Sequence, residues 1–305
     1  MNKNILILIN LTLLNFCYGQ STNLTGEIKD FTTGEPLPYA TIEIFNLKTG
    51  TIADKNGIFH FEITPKNLTD DTICFSYVGY ETTKMSIEDF IQSSGIIELN
   101  DMPVMLGEIT VIPKKYSTII AGIKDNEPSS PQYANLFGAN KGNFIENKQK
   151  KKGWIKSVSY YIHTDGNPTT PFRVRVYDID ENKLPGKDIL NKNVVVSASK
   201  PGWFAVDLSE YNIPFPSEGV FVMMEWINSG DKYYFEKDFT VKGKNGQTEI
   251  VKKKYYGQSL GTISKKGGVV LWGNNLGNEW IPYDFNYKGQ YPNAMINSEI
   301  IYEKD

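Results

Sequence analysis

The stretch Gly50–Ile63, GTIADKNGIFHFEI, sets two strand-forming runs on either side of Asp54-Lys55-Asn56-Gly57. Gly57 can take a positive φ without steric cost, and Asp54 and Asn56 tolerate tight turns, so the stretch reads as a hairpin. Beyond the turn, Phe59, Phe61 and Ile63 fall on one face and His60 and Glu62 on the other. That is the two-residue period of a strand with one buried side.

The same period recurs on both sides of this stretch. Leu24–Asp30 is strand-like and is broken by Thr33-Gly34-Glu35-Pro36. Ala40, Ile42 and Ile44 oppose Thr41 and Glu43, and Ile73, Phe75 and Tyr77 oppose Cys74. Ile96–Leu99 and Ile109–Ile112 are two more short strands. Roughly seven strands in about 90 residues, with turn residues every ten or so, predict a β-sandwich.

The order and spacing of five segments resemble the carboxypeptidase regulatory-like domain: Gly26–Asp30, Thr33–Ile42 (TGEPLPYATI), Thr51–Phe59 (TIADKNGIF), Ser76–Tyr80 (SYVGY) and Leu106–Val111 (LGEITV). The resemblance covers about residues 24 to 113. It implies a seven-stranded, transthyretin-like sandwich of the kind found at the N-termini of outer-membrane transporters and surface proteins of Gram-negative bacteria. It also implies an accessory to peptidases rather than a peptidase.

The first 20 residues, MNKNILILINLTLLNFCYGQ, place Lys3 before the apolar run Ile5–Leu14 and small residues before a cut between Gly19 and Gln20. This is the layout of a secretory signal peptide. The run is far shorter than the roughly 20 apolar residues that span a bilayer, and no second such run follows. Cleavage would remove Lys3 and no acid, taking the formal charge from −3 to −4 and leaving Cys74 as the sole cysteine. No disulfide framework is then available, and stability must come from core burial.

After a Pro- and Ser-rich connector, the remainder again alternates. Val158, Tyr160 and Ile162, then Phe172, Val174 and Val176, mark inward faces. Trp203–Leu208, Val220–Ile227, Val269–Trp272 and Met295–Tyr302 follow, with no long amphipathic helix between them. The expected fold is all-β: two β-sandwich domains, the second jelly-roll-like. The expected layout is a signal peptide over 1–19, the regulatory-like sandwich over 20–113, a linker over 114–135 and a C-terminal sandwich over 136–305.

Chemistry is sparse in this text. The two histidines, His60 and His163, lie in different expected domains and belong to no metal-binding spacing, which disfavours a zinc carboxypeptidase. No G-x-S-x-G elbow occurs, and Cys74 sits mid-strand as a small buried hydrophobe. No cofactor is called for. The one metal reading is a Ca²⁺ held by Asp178 and Asp180, against which stands a plain polar hairpin in VYDIDENKLPG. Lys150–Lys152 and Lys252–Lys254 read as solvated guards of edge strands, with contact to acidic glycans or lipid headgroups as the alternative at an extracytoplasmic address; with a negative net charge and no accompanying motif, nucleic acid is excluded as a partner.

The most suggestive segment is LWGNNLGNEWIPYDFNYKGQY, residues 271–291. Trp280, Tyr283 and Tyr287 could stack on sugar rings while Asn275 bonds hydroxyls. Trp272 extends the apolar run Val269–Leu271 and is assigned to the core. The leading reading is a non-enzymatic exported protein in the periplasm, on the outer membrane or at the cell surface, with a binding or adhesion head on a β-sandwich spacer and a cell-surface glycan as ligand. A second reading is a carboxylate-dependent, glycan-active enzyme, drawing on Asp178, Asp180, Glu181, Asp207, Glu225, Glu279 and Asp284. A third is an accessory partner of a TonB-dependent outer-membrane transporter.

Overall fold

In a computed structural model of the chain, the described residues are 21–64, 70–102, 116–242, 247–267, 271–284 and 288–303. The expected Gly19–Gln20 cleavage, the strand at Ile109–Ile112 and Tyr287 lie outside them.

The first body contains β1 (Thr22–Asp30), β2 (Thr41–Ile44), β3 (Thr49–Ile52), β4 (Ile58–Ile63), β5 (Thr72–Ser76), β6 (Thr83–Ser86), the short helix α1 (Ile87–Gln92) and β7 (Ile96–Leu99). One sheet runs β4-β1-β7 and the other β3-β2-β5-β6. Leu24, Ile28, Ile42 and Ile73 meet between them, around Phe59, Phe75 and Phe90, whose ring centroids lie 5.6–5.9 Å apart. Ser86 caps α1 by accepting from the Asp89 amide at 2.9 Å.

Gly50–Ile63 forms the expected turn but not the expected hairpin. The Asp54 carboxylate accepts from the amides of Asn56 and Ile58 at 2.8 and 3.0 Å, and Gly57 takes φ 74°. Yet β3 pairs with β2 while β4 pairs with β1, so the turn crosses from one sheet to the other. Beyond the turn β4 buries Phe59 and Ile63 in the first core, and Ala53, just after β3, reaches the same core from the other side, so arching between layers lets the two sheets share it. The Gly57 carbonyl accepts from the Ile28 amide at 2.9 Å, and a Cβ at Gly57 would lie 2.6 Å from Ile28 O, which draws the arch onto β1.

The second body begins within the expected linker. Here β8 (Tyr116–Gly122) pairs with the last strand, and β9 (Ser130–Ala134) pairs with the longest. The rest are β10 (Asn140–Glu146), β11 (Gly153–Gly166), β12 (Phe172–Ile179), β13 (Pro185–Asp188), β14 (Val195–Val196), β15 (Gly202–Asp207), β16 (Pro214–Phe215) and β17 (Gly219–Trp226). They continue with β18 (Tyr234–Lys242), β19 (Thr248–Lys266), β20 (Leu271–Asn274), β21 (Ile281–Pro282), β22 (Gln290–Ala294) and β23 (Ile296–Glu303). A seven-stranded sheet, β13-β12-β17-β10-β20-β21 with β14 beside β12, opposes a nine-stranded sheet built on β18-β19-β11-β23-β8.

The predicted inward faces meet in this second core: Val158, Tyr160 and Ile162 against Phe172, Val174, Val222 and Trp226. Buried polar ties join the layers, among them a two-way bond between the Asn143 side-chain amide and the Ala294 backbone. The Tyr160 hydroxyl donates to Met223 O, and Trp226 Nε1 donates to Gln258 O, both at 2.9 Å. Trp272, expected in the core, instead packs half-buried on the outer face against Phe221, 5.9 Å between centroids. Leu271 takes the inward place, so the two-residue period turns Trp272 away.

The outer face of the seven-stranded sheet meets the first body. Ile52 packs on Ile227 and Leu276, with Tyr39, Phe137 and Val195 around them. Asn193 Nδ2 donates to Pro38 O at 3.3 Å and the Tyr77 hydroxyl at 2.9 Å. The Gly277 amide donates to Glu43 Oε1, and Asn278 Nδ2 to Lys48 O, both at 2.9 Å. Beneath this contact Arg173 is fully buried, donating to Tyr39 O and lying 3.6 Å from Glu225. Among the described residues, no helix is long and apolar enough to cross a membrane.

Candidate binding surface

Strands β9, β10 and β19 place one cluster of side chains at the surface of the second body. Ala134 of β9 points into the core, so its neighbour Tyr133 points out, beside Tyr255 of β19. The two rings stack, with centroids 4.5 Å apart and planes 28° apart. Tyr133 is pinned by its hydroxyl, which donates to Asp165 Oδ2 at 2.6 Å, while Lys237 pairs with the same carboxylate. Burial and that acceptor push the Tyr133 phenol up to about 12.

Lys141 of β10 reaches into the same place. Its Nζ donates to Tyr133 O at 2.6 Å and Gln132 Oε1 at 3.3 Å, and lies 5.4 Å from the centre of the Tyr283 ring. Burial pushes its pKa down to about 8, and among the described residues no carboxylate pairs with it. Lys253 and Lys254 of β19 complete the rim, Lys254 Nζ standing 4.0 Å over the Tyr234 ring. Together with Gln132 and Asn135 these groups line a cleft of about 660 Å³, in whose wall no acidic residue stands among the described residues.

A smaller cleft, about 230 Å³, is lined by Asn274, Asn275, Asn278, Glu279, Tyr283 and Lys48 of the first body. Lys141 lines the larger cleft and Tyr283 the smaller, so the two adjoin at this cation–ring pair. Of the residues singled out in the sequence, Asn275 and Tyr283 thus come together. Trp280 does not join them: it packs edge-on against Tyr177 at 5.4 Å.

Several other candidates are occupied structurally, while Glu279 stands in the wall of the smaller cleft. Asp178 Oδ1 accepts from the Lys187 amide at 2.6 Å, and Asp180 Oδ1 from the amides of Asn182 and Leu184 at 2.8 Å, closing the turn between β12 and β13. Among the described residues, no three His, Cys, Asp or Glu side chains gather as a metal set. Asp207 accepts from the Ser209 amide and hydroxyl, and Glu225 is held by Arg175 at 2.6 Å. Cys74 is buried, which pushes its thiol up. The His163 ring accepts from the Asp165 amide at 3.0 Å, and burial pushes its pKa down.

The sequence reading does not single out Tyr133, Lys141 or Tyr255. Tyr133 falls in the expected linker, and Lys253 and Lys254 are exposed, as a solvated run would be. The usable signal was Lys252-Lys253-Lys254-Tyr255-Tyr256, where cations adjoin an aromatic pair.

Residues 24–111 match the sequence model of the CarboxypepD_reg-like domain. The chain is also similar to two curated proteins. It is 23% identical over 174 residues to TonB-dependent receptor P3 of Formosa agariphila, covering 57% of this chain and 16% of that one. It is 28% identical over 181 residues to TonB-dependent receptor SusC of Bacteroides thetaiotaomicron, covering 58% of this chain and 16% of that one. The chain therefore spans about a sixth of the length of these relatives.

Proposed function

We propose that this chain is a non-enzymatic binding module of the cell envelope, in which the regulatory-like sandwich is a rigid mount and the second sandwich binds carbohydrate. The second body is taken to start at Tyr116, where β8 joins its sheet. The observation that carries the reading is the contact of Lys141 with Tyr283, where two adjoining clefts supply stacked tyrosines, side-chain amides and ammonium groups. Sugar-binding sites need such rings beside a few polar groups. Of the carboxylates an enzyme reading would call on, Asp178, Asp180, Asp207 and Glu225 are engaged in turns and ion pairs, while Glu279 lines the smaller cleft.

The test is a glycan array probed with the purified exported chain, alongside Tyr283→Ala. Binding to at least one glycan class, weakened tenfold or more in the variant while the fold is retained, is the expected result. A blank array with folded protein removes the carbohydrate reading.

The similarity to two proteins named as TonB-dependent receptors favours a second, compatible reading, in which the module works beside such a receptor in the outer membrane. Cross-linking in intact envelopes, followed by purification of the chain, should recover an outer-membrane barrel protein. Repeated recovery without one counts against this partnership.

A further inference from the structure

We infer that the larger cleft selects anionic oligosaccharides, with a carboxylate or sulfate on the sugar held by Lys141, Lys253 and Lys254. This rests on the carbohydrate reading above and gives it a substrate class. Three lysines line one cleft with no acid among its lining residues, in a chain whose formal charge is −3. The positive charge is therefore local to the cleft rather than a reflection of the whole molecule.

Lys141 is the informative member. A partly buried ammonium usually has a carboxylate nearby, because desolvating an unpaired charge is costly. Here the partners are a backbone carbonyl, an amide oxygen and a ring face, none of them a full negative charge. Two of its three N–H groups are directed to oxygen acceptors, leaving a third donor for an incoming anion. An anionic group there would supply the missing counter-charge in a site already shielded from water, where the attraction is stronger than at the open surface.

Gln132 and Asn135 supply amides that can meet neutral hydroxyls, and the Tyr133–Tyr255 stack forms a flat wall. A volume of about 660 Å³ suits a short oligosaccharide rather than a lone ion. Single-stranded nucleic acid fits less well. The two tyrosine rings close on each other at 4.5 Å and leave no slot for a base between them.

The experiment is calorimetric titration of the exported chain with four probes: a galacturonate trimer, a sulfated trisaccharide, maltotriose and a short oligothymidylate. Lys253→Gln/Lys254→Gln is the main variant, since both side chains are exposed and the fold should survive; Lys141→Met is the second, and Lys150→Gln is the control. One of the two acidic sugars should bind at least tenfold more tightly than maltotriose, and which one does so identifies the anion. The double variant should lose about tenfold and show a shallower salt dependence, while the control is unchanged. Binding by the acidic sugar should also weaken as pH rises from 7 to 9, through loss of the Lys141 charge, since burial holds the Tyr133 and Tyr283 phenols above their ordinary range and so neutral in that window. Equal affinity for maltotriose overturns the anionic selectivity and leaves carbohydrate binding standing. Failure of all three sugars to bind overturns this inference, and a blank glycan array removes the broader reading with it. Tighter binding of the oligothymidylate than of either acidic sugar overturns the ligand class.

Discussion

Arg175 Nε lies 2.6 Å from Glu225 Oε2, on a sheet face that the two-residue period would have left in water. The first sandwich covers that face, and Arg173 and Asp188 extend the pair into a buried cluster of four charges. Burial alone would raise the Glu225 pKa, but Arg173 and Arg175 bring it below the usual carboxylate value. Glu225→Gln keeps the shape and removes the charge that both guanidinium groups face. Breaking a buried pair from one side costs about 3–5 kcal/mol, and urea unfolding should show a loss of that order. A loss near zero would mean that water, rather than Glu225, satisfies the two arginines.

Gly277 and Gly34 share a left-handed backbone, with φ 73° and 71°, but differ in surroundings. A Cβ at Gly277 would lie 2.6 Å from Thr49 N and 2.7 Å from Thr49 O, across the contact between the two bodies; at Gly34 it would meet nothing within 4 Å. Each alanine substitution carries the same conformational penalty, about 1–2 kcal/mol. Gly277→Ala should therefore be the more destabilising by about 1–3 kcal/mol and should make proteolysis between the two bodies faster. Equal losses in the two variants would show that the bodies separate without cost.

The layered β architecture was legible because most buried side chains follow the period of two: Ile42 and Ile44, Val158 and Tyr160, Val174 and Val176 all point where the alternation put them. The arch at Asp54–Gly57 was not legible, because a turn's chemistry fixes its local geometry but not the partners of its flanking strands: β3 folds back on its neighbour β2, and β4 pairs with the distant β1. Arg173 and Glu225 looked like solvent-facing residues for a related reason. Alternation marks one face as apolar, but it carries no record of a second body docking on the other. The cleft escaped because Tyr255 joins Tyr133 and Lys141 only through the pairing of β19 with β9, more than a hundred residues apart, whereas Asn275 and Tyr283 stood together in one aromatic and Asn-rich segment.

Asp30 and Tyr80, from two of the recurring segments of the first body, meet at 2.7 Å, and Asp30 also accepts from the amides of Thr32 and Thr33. The Tyr80 hydrogen bond, then the Thr33 amide, lowers the Asp30 pKa, while burial and this carboxylate push the Tyr80 phenol up to about 12. A carboxylate whose folded pKa is depressed adds stability above its unfolded value, about 3.9, and loses it as pH falls through the folded value. Tyr80→Phe should move the Asp30 titration, followed by carbonyl NMR, upward toward that value and make acid unfolding begin at higher pH. An unmoved titration would show that the two amides alone hold the charge.

Lys141 should shape stability at the opposite end of the pH scale. Its folded pKa, about 8, lies below the roughly 10.4 of an unfolded lysine. As pH rises from 7.5 toward 9, the folded chain releases this proton before the unfolded chain does. The unfolded state then binds more protons, so stability should rise across that window. The buried Cys74 thiol acts in the other direction, since its raised pKa makes the unfolded chain ionise first at alkaline pH. Comparing the native chain with Lys141→Met cancels Cys74 and every other shared group. The difference in unfolding free energy between the two should change by about 1–2 kcal/mol from pH 7.5 to 9, in favour of the native chain as pH rises. Parallel pH profiles would mean that Lys141 keeps an ordinary pKa and that the cleft wall is wet.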